Sequence, residues 1–450
     1  MNRSVRRIFI DCTETCRGHG RAGIPRVVRN LVHAAPEIGR EMGLECQGVA
    51  FDPAAGFVVV ADIPNSAAPT GPWRRALSSV VKSSRSTAKE CLTATRLLDP
   101  ARRLTDFARS VKRRALAPLR RTSQTRLHFT AGDVLLLPDI SWRTDFPWDE
   151  VQAARDAGAF IVAVVYDLIP IQYPPEVDTE THRLFCRWWN QVRDAAQYFI
   201  CGSHSVMNDV VAADRSGISR MISHRVTSVH LGADLDGLVS GAEPARQLLI
   251  DAFRTATSRR AYLMVGMMSP RKNHALVLDA FERMWDDDIE VRLVIAGKCP
   301  ANSQELQRRI GRHSEFGKRL FWFENVSDSE LDYCYRQAAG LITASIAEGF
   351  NLPIVEALSR KCPVFASDLP VHREVGRAYA AFFPVADAAS LAGLIRQHQQ
   401  LGAIPGVESA EDLRWPDWSA TCREMLRRAV DAAIDFETSR PLGTIARPAA

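Results

Sequence analysis

Short runs of unbroken apolar residues, separated by segments with helical periodicity, set the strongest limit on how this chain can fold. Phe160–Val165 reads FIVAVV. GDVLLLPD (Gly132–Asp139), YFICGS (Tyr198–Ser203), EVRLVIAG (Glu290–Gly297) and AGLITAS (Ala339–Ser345) have the same character. A strand exposed on one face alternates apolar and polar residues, whereas an unbroken run needs cover on both faces, as in a parallel sheet between helices. Parallel strands need long crossovers. Helical patterns near Asp149–Ala157, Glu180–Ala196, His274–Trp285, Ser303–Ile310 and Asp328–Ala338 supply them. The reading is α/β. With 450 residues the chain has room for two or three domains. The loop composition of Gly237–Pro244 puts a boundary near residue 240, giving a first domain over 1–240 and a second over 241–405.

The chain opens with RIFIDC (Arg7–Cys12), a buried parallel strand, then a glycine-rich loop, RGHGRAGIPR (Arg17–Arg26), then a helical pattern from Val27 to about Ala35. That order begins a βαβ unit. The loop lacks the G-x-G-x-x-G spacing, which argues against dinucleotide binding. Cys46–Phe51 and Gly56–Val60 are further strand candidates. Between about 72 and 128 lies a basic insertion: Arg74–Arg126 holds 15 Lys or Arg residues against Glu90, Asp99 and Asp106. Such a stretch suits an anionic membrane surface, at about 1 kcal/mol per basic residue. It equally suits a solvated helical insertion.

Composition excludes some classes. The net charge of +5 is too small to imply a nucleic-acid partner, and the basic insertion carries no recognisable nucleic-acid motif. Ten cysteines without paired metal spacing read as reduced thiols. Cys12, Cys16 and His19 offer three ligands in a polar loop, too few for a structural zinc site, so no metal is expected. The apolar run in MNRSVRRIFIDC is too short for a signal peptide. Ala157–Ile171 is interrupted by Asp167 and falls short of a membrane span of about 20 residues. The expected location is cytoplasmic, on the inner face of the membrane if the basic insertion binds there.

The chemistry concentrates in EGFNLPIVE (Glu348–Glu356), between the Ala339–Ser345 run and a helical pattern from Pro353. Gly349 and Asn351 tolerate a strained turn, and Pro353 suits a first helical position. The N–H groups at that helix start form an anion site, while Glu348 and Glu356 can accept hydrogen bonds from sugar hydroxyls. Arg271 and Lys272 follow the strand in AYLMVGMMSPRKN (Ala261–Asn273) and would face the same space. Asp139, Ser141, Trp142, Tyr166 and Asp167 lie at the carboxyl ends of first-domain strands, where α/β folds place ligands.

These pieces resemble the retaining glycosyltransferases of family 4, the mannosyltransferase-like group. The motifs are EGFxLPxxEA from Glu348, PVxAS from Pro363, HxEV ending in Glu374-Val375, VGMMSPRKNHALVLDAF (Val265–Phe281), LVIAGK (Leu293–Lys298) and ENVSDSELDYCYRQA (Glu324–Ala338). The resemblance implies a GT-B fold, two doubly wound Rossmann-like domains facing each other across a cleft. It also implies a C-terminal helix, within 406–436, that crosses back to the first domain before a disordered tail over 437–450. The implied reaction moves a hexose from a nucleoside-diphosphate sugar to a saccharide or lipid-linked acceptor, in surface polysaccharide or lipopolysaccharide synthesis, with no cofactor. By the same resemblance Arg271, Lys272 and Glu348 are catalytic. Gly266, Val326, Gly349, Phe350, Asn351, Leu352 and Glu356 join them on the donor, with Glu356 on the ribose. Gly20, Gly23, Ile24, Tyr166 and Asp167 are the acceptor side. The chain departs from the family at Tyr166, where relatives carry His, and at Asn351 and Arg360-Lys361, where they carry Gly; the last change is expected to be local. A sugar-nucleotide epimerase or a non-catalytic nucleotide-sugar-binding protein would use the same cleft.

Overall fold

The computed structural model describes residues 5–18, 23–61, 63, 126–142, 146–215, 225–234, 245–254, 261–300 and 303–439. The basic insertion up to Thr125, Gly20, the boundary near 240 and the tail from Arg440 lie outside the described residues. Among the described residues thirteen strands form two sheets. The first contains β1 (Arg7–Asp11), β2 (Glu45–Asp52), β3 (Gly56–Val60), β4 (Asp133–Leu137), β5 (Phe160–Val165), β6 (Tyr198–Cys201) and β7 (Val226–Ser228). Their order is β3-β2-β1-β4-β5-β6-β7, parallel except for β2 with β3. The second contains β8 (Ala261–Val265), β9 (Arg292–Ala296), β10 (Leu320–Phe323), β11 (Gly340–Thr343), β12 (Val364–Ser367) and β13 (Ala380–Phe383). It is wholly parallel in the order β10-β9-β8-β11-β12-β13.

The apolar runs explain this layering. In β4 and β5 successive side chains enter opposite cores: Val134, Leu136, Val162 and Val164 one way, Leu135, Leu137, Ile161 and Ala163 the other. The order reverses between β1 and β4 in the first sheet and between β8 and β11 in the second. Loops leaving the carboxyl ends at such a reversal diverge and open a crevice. In the second sheet those loops carry Arg271-Lys272 and Glu348.

Two helices depart from the sequence reading. The first runs Ile24–Glu41, beyond the expected stop near Ala35 and through Pro36. A proline removes one helical hydrogen bond, but Leu31, Val32, Ala35 and Ile38 bury one continuous stripe that extends past it. The last helix spans Trp418–Thr438, past its expected limit at 436 and into the stretch expected as a disordered tail. Asp417 caps it by accepting from Ala420 N at 2.6 Å, and Phe436 packs on Phe160 with ring centroids 5.4 Å apart. Cys422, Met425, Leu426 and Ala429 from this helix are fully buried against the Ile24–Glu41 helix and the first sheet. Among the described residues no helix is long and apolar enough to cross a membrane.

The domains meet through polar contacts. Glu374, on the Pro370–Gly376 helix, accepts from His204 N (2.7 Å) and Ser205 N (2.9 Å), the start of the His204–Arg215 helix. The same carboxylate lies 2.8 Å from His230 Nε2. Burial would raise this carboxyl, but His230 and the two N–H groups hold it below its ordinary range. Ser203 Oγ donates to Gly349 O at 2.7 Å. Arg360, expected to act locally, pairs with Asp332 at 2.7 Å and reaches Ala233 O at 3.3 Å, while Lys361 Nζ donates to Ala410 O at 2.6 Å. Both tie the second domain to the segments that join it to the first.

Glu374→Ala removes a carboxylate from a helix N-terminus and should cost about 1–2 kcal/mol, with a larger radius of gyration in solution scattering. An unchanged radius and melting temperature would mean that other contacts hold the domains together. Two buried histidines set the acid response. Burial lowers His274 to about 3, with Lys272 adding to it, and burial lowers His372 to about 4. Both folded values lie below the ordinary 6.5, so the unfolded chain binds more protons as pH falls. Their stabilisation is therefore complete above 6.5 and lost as pH drops towards 4 and then 3. The loss approaches about 1.4 kcal/mol per pH unit for each ring. Urea midpoints between pH 7 and 5 should show it, and His274→Leu should flatten the slope.

Candidate functional site

The loop after β8 begins at Gly266, whose φ of 136° favours glycine, and ends in a tight turn, Pro270–Lys272, with Asn273 left-handed at φ 54°. The turn sends Arg271 and Lys272 towards the loop after β11. There Glu348 lies between them: Lys272 Nζ is 2.5 Å from Oε1, and an Arg271 guanidinium nitrogen is 2.8 Å from Oε2. Ser345 Oγ donates to Oε1 at 2.7 Å, and Arg271 also donates to Ala347 O at 2.6 Å. Glu348 is 8% exposed in its side chain. Burial alone would raise its pKa, but Lys272 and Arg271 overcome this and hold it far below the carboxylate range. Burial lowers Lys272, against the pull of Glu348. The cluster is two fixed cations around one fixed anion, a net positive centre at the reversal of the sheet.

Asn351 is left-handed at φ 72° and starts the Leu352–Ser359 helix, yet its side chain does not cap it. Its Nδ2 instead donates to Thr343 Oγ1 and to His372 Nε2, both at 2.8 Å, and His372 Nδ1 lies 2.7 Å from Ser367 O. A neutral His372, protonated at Nδ1, satisfies both ends. The first turn of the helix, which begins at Leu352, is thus not capped by the Asn351 side chain. Gly349 touches the other domain: a Cβ there would overlap Tyr166 O and press on Asp167 Cβ.

Other expected residues fall differently. Phe350 is buried, its ring near His230 and Trp415 at 6.0 and 6.1 Å, so its side chain serves the domain junction. Tyr166 directs its hydroxyl to Pro138 O at 2.8 Å, within its own domain, which spends the proton it could have offered to a sugar. Asp167 accepts from Ile169 N at 3.1 Å; burial raises its carboxyl, partly offset by Arg271. Gly23 is left-handed at φ 64° with open space around it, and Ile24 is the first residue of the following helix. Val326 is half-buried just before Ser327, which caps the Asp328–Gln337 helix. Asp139 is buried and holds Thr15 through both its backbone N–H and its hydroxyl; Ser141 accepts from Trp188 Nε1 at 2.8 Å.

Glu356 is 3% exposed and already partnered. Its Oε1 accepts from Arg26 at 2.5 Å and its Oε2 from the Tyr335 hydroxyl at 2.8 Å, while a second Arg26 nitrogen pairs with Asp328. Sequence reasoning missed Arg26, Tyr335, His372 as the support of Asn351, and Ser203. The available signal was an arginine three residues after the loop glycine, on a helix whose neighbouring positions are apolar.

Comparison with known proteins places this geometry. Residues 246–403 match the family model for glycosyl transferases group 1. The serotype-specific mannosyltransferase WbdA of Escherichia coli is 33% identical over 306 residues, which cover 66% of this chain and 37% of that protein. The O-antigen chain mannosyltransferase RfbU of Salmonella typhimurium is 30% identical over 141 residues, 31% of this chain and 38% of the relative. The chain thus spans little more than a third of the length of these relatives. Among solved structures, sucrose-phosphate synthase from Thermosynechococcus elongatus superimposes with a TM-score of 0.54 at 16% identity, covering 96% of this chain and 98% of that one. Anabaena HepE, in complex with UDP and glucose, gives 0.51 at 13%, covering 97% and 99%. The fold is GT-B, and residues 246–403 of the second domain are similar to the glycosyl transferases group 1.

Proposed function

We propose that this chain is a retaining hexosyltransferase that moves a mannosyl unit from a nucleoside-diphosphate donor to a saccharide hydroxyl, on a free or lipid-linked chain, in surface polysaccharide assembly. The observation that carries this reading is the Arg271–Glu348–Lys272 cluster at the reversal of the second sheet, next to an uncapped helix start. Mannosyl specificity follows the names of the relatives, WbdA and RfbU.

In this reading the diphosphate lies against Arg271, Lys272 and the first turn of the Leu352–Ser359 helix. Negative charge grows on the diphosphate as the glycosidic bond breaks. Cations fixed beforehand in a water-poor cleft stabilise that charge without reorganising. Arg271 offers a planar fork and Lys272 a point charge, which together take the part that a divalent cation plays in other phosphate chemistry. Glu348 keeps the two cations side by side and presents its remaining acceptor capacity to the hexose hydroxyls. Asp167 approaches the same loop from the first domain. The acceptor attacks from the face the diphosphate leaves, no protein nucleophile is used, and the departing phosphate takes the acceptor proton.

The direct test is incubation of the purified chain with GDP-mannose, UDP-glucose or UDP-N-acetylglucosamine and a mannose-terminated oligosaccharide, followed by mass spectrometry. The expected result is an acceptor heavier by one hexose and one equivalent of released nucleoside diphosphate. A changed nucleotide sugar with no extended acceptor would indicate an epimerase instead. Lys272→Ala should lower turnover by about 10²–10³-fold with a melting temperature close to wild type. Gly349→Ala, by forcing the loop away from Tyr166, should lower donor affinity and turnover together; full activity in that variant would remove the two-domain cleft from the mechanism.

A further inference from the structure

The Arg26 guanidinium comes from the first domain yet lies wedged between two carboxylates of the second. One terminal nitrogen is 2.5 Å from Glu356 Oε1 and the other pairs with Asp328 Oδ1, and the whole residue is 6% exposed. Glu356 stands on the Leu352–Ser359 helix, Asp328 opens the Asp328–Gln337 helix, and Tyr335 of that second helix donates to Glu356 Oε2 at 2.8 Å. Three elements from two domains therefore converge on one carboxylate. Arg26 itself is placed by the Ile24–Glu41 helix, three residues beyond left-handed Gly23.

Two roles are open to such a contact. Arg26 could fill the place of the ligand and have to leave, or it could hold Glu356 while the ligand binds. Charge decides between them. Departure of Arg26 would leave buried Glu356 and half-buried Asp328 as neighbouring carboxylates without their shared cation, an expensive arrangement. Retention costs nothing, because a carboxylate oxygen can accept two hydrogen bonds. Each oxygen of Glu356 takes one from the described residues. One acceptor position per oxygen remains, a match for the two hydroxyls of a vicinal diol.

We propose that Arg26 is a positioning residue of the donor site, which orients Glu356 from the opposite domain so that it grips the ribose diol of the nucleotide. The assignment rests on the donor reading above and adds a link to it. Tyr335 holds Oε2 from within the second domain, but Oε1 has its partner only while the two domains are together, so the ribose is held most tightly across a shut cleft. Separation of the domains takes Arg26 away and loosens the nucleotide.

The test pairs a change in the protein with a change in the ligand. Binding of GDP and UDP, and of their 2′,3′-dideoxy analogues, is measured by titration calorimetry for wild type, Arg26→Ala and Arg26→Lys, with melting temperatures recorded. Arg26→Ala should weaken the better ribonucleotide about tenfold or more and change the affinity of its dideoxy analogue less than twofold. Arg26→Lys keeps the charge without the fork and should recover part of the loss. Equal losses for the two ligands would reduce Arg26 to general scaffolding, and tighter binding in Arg26→Ala would make it a competitor; either overturns the assignment while leaving the donor site intact. Should Arg26→Ala fail to fold, the lysine variant carries the same comparison. Failure of every nucleotide to bind the wild type would overturn the donor reading itself, and this assignment with it.

Discussion

One carboxylate between two cations governs the shape of the second domain's working edge. Arg271 and Lys272 come from the loop after β8, Glu348 from the loop after β11, and both loops leave the sheet where its order reverses. Burying either cation alone would be costly, and burying Glu348 alone equally so. Together, with Ser345 completing the hydrogen bonds, they tolerate a position from which water is largely removed. A buried ion cluster of this kind is weak evidence for stability. Its value is geometric: three charged groups that would otherwise sample many rotamers are held in one arrangement before any ligand arrives.

The same economy appears at the domain junction. Apolar side chains of both domains share one buried cluster, with Phe350 against His230 and Trp415 as an aromatic contact across it. Polar contacts join it: Glu374 on a helix start, Ser203 on Gly349 O, Arg26 between Asp328 and Glu356. Polar interfaces between domains permit relative motion more readily than large apolar ones.

Contiguous signals were legible in the sequence and distant ones were not. FIVAVV announces a doubly covered strand by itself, and EGFNLPIVE carries its turn, its helix start and its charges within nine residues. The Arg26–Glu356 pair spans 330 positions and no local pattern marks it. The direction of the Tyr166 hydroxyl was likewise invisible, because it depends on where Pro138 O lies after β4 and β5 pair. The first helix passes its expected end near Ala35, and Pro36 with it, because an apolar stripe continues beyond them. Arg360-Lys361 were read as local because their partners, Ala233 and Ala410, are far away in the chain.

The helix Trp418–Thr438 completes the core of the first domain, with Cys422, Met425, Leu426 and Ala429 wholly inside it. During synthesis at about 5–20 residues per second the whole second domain leaves the ribosome before that helix does. The second domain, whose strands and helices lie within one stretch of chain, can then close while the first still exposes the stripe of Leu31, Val32 and Ala35. The domain made first is the one finished last, so newly made chains carry a sticky, half-covered sheet until residues 418–438 emerge, and that interval is when they most need a chaperone.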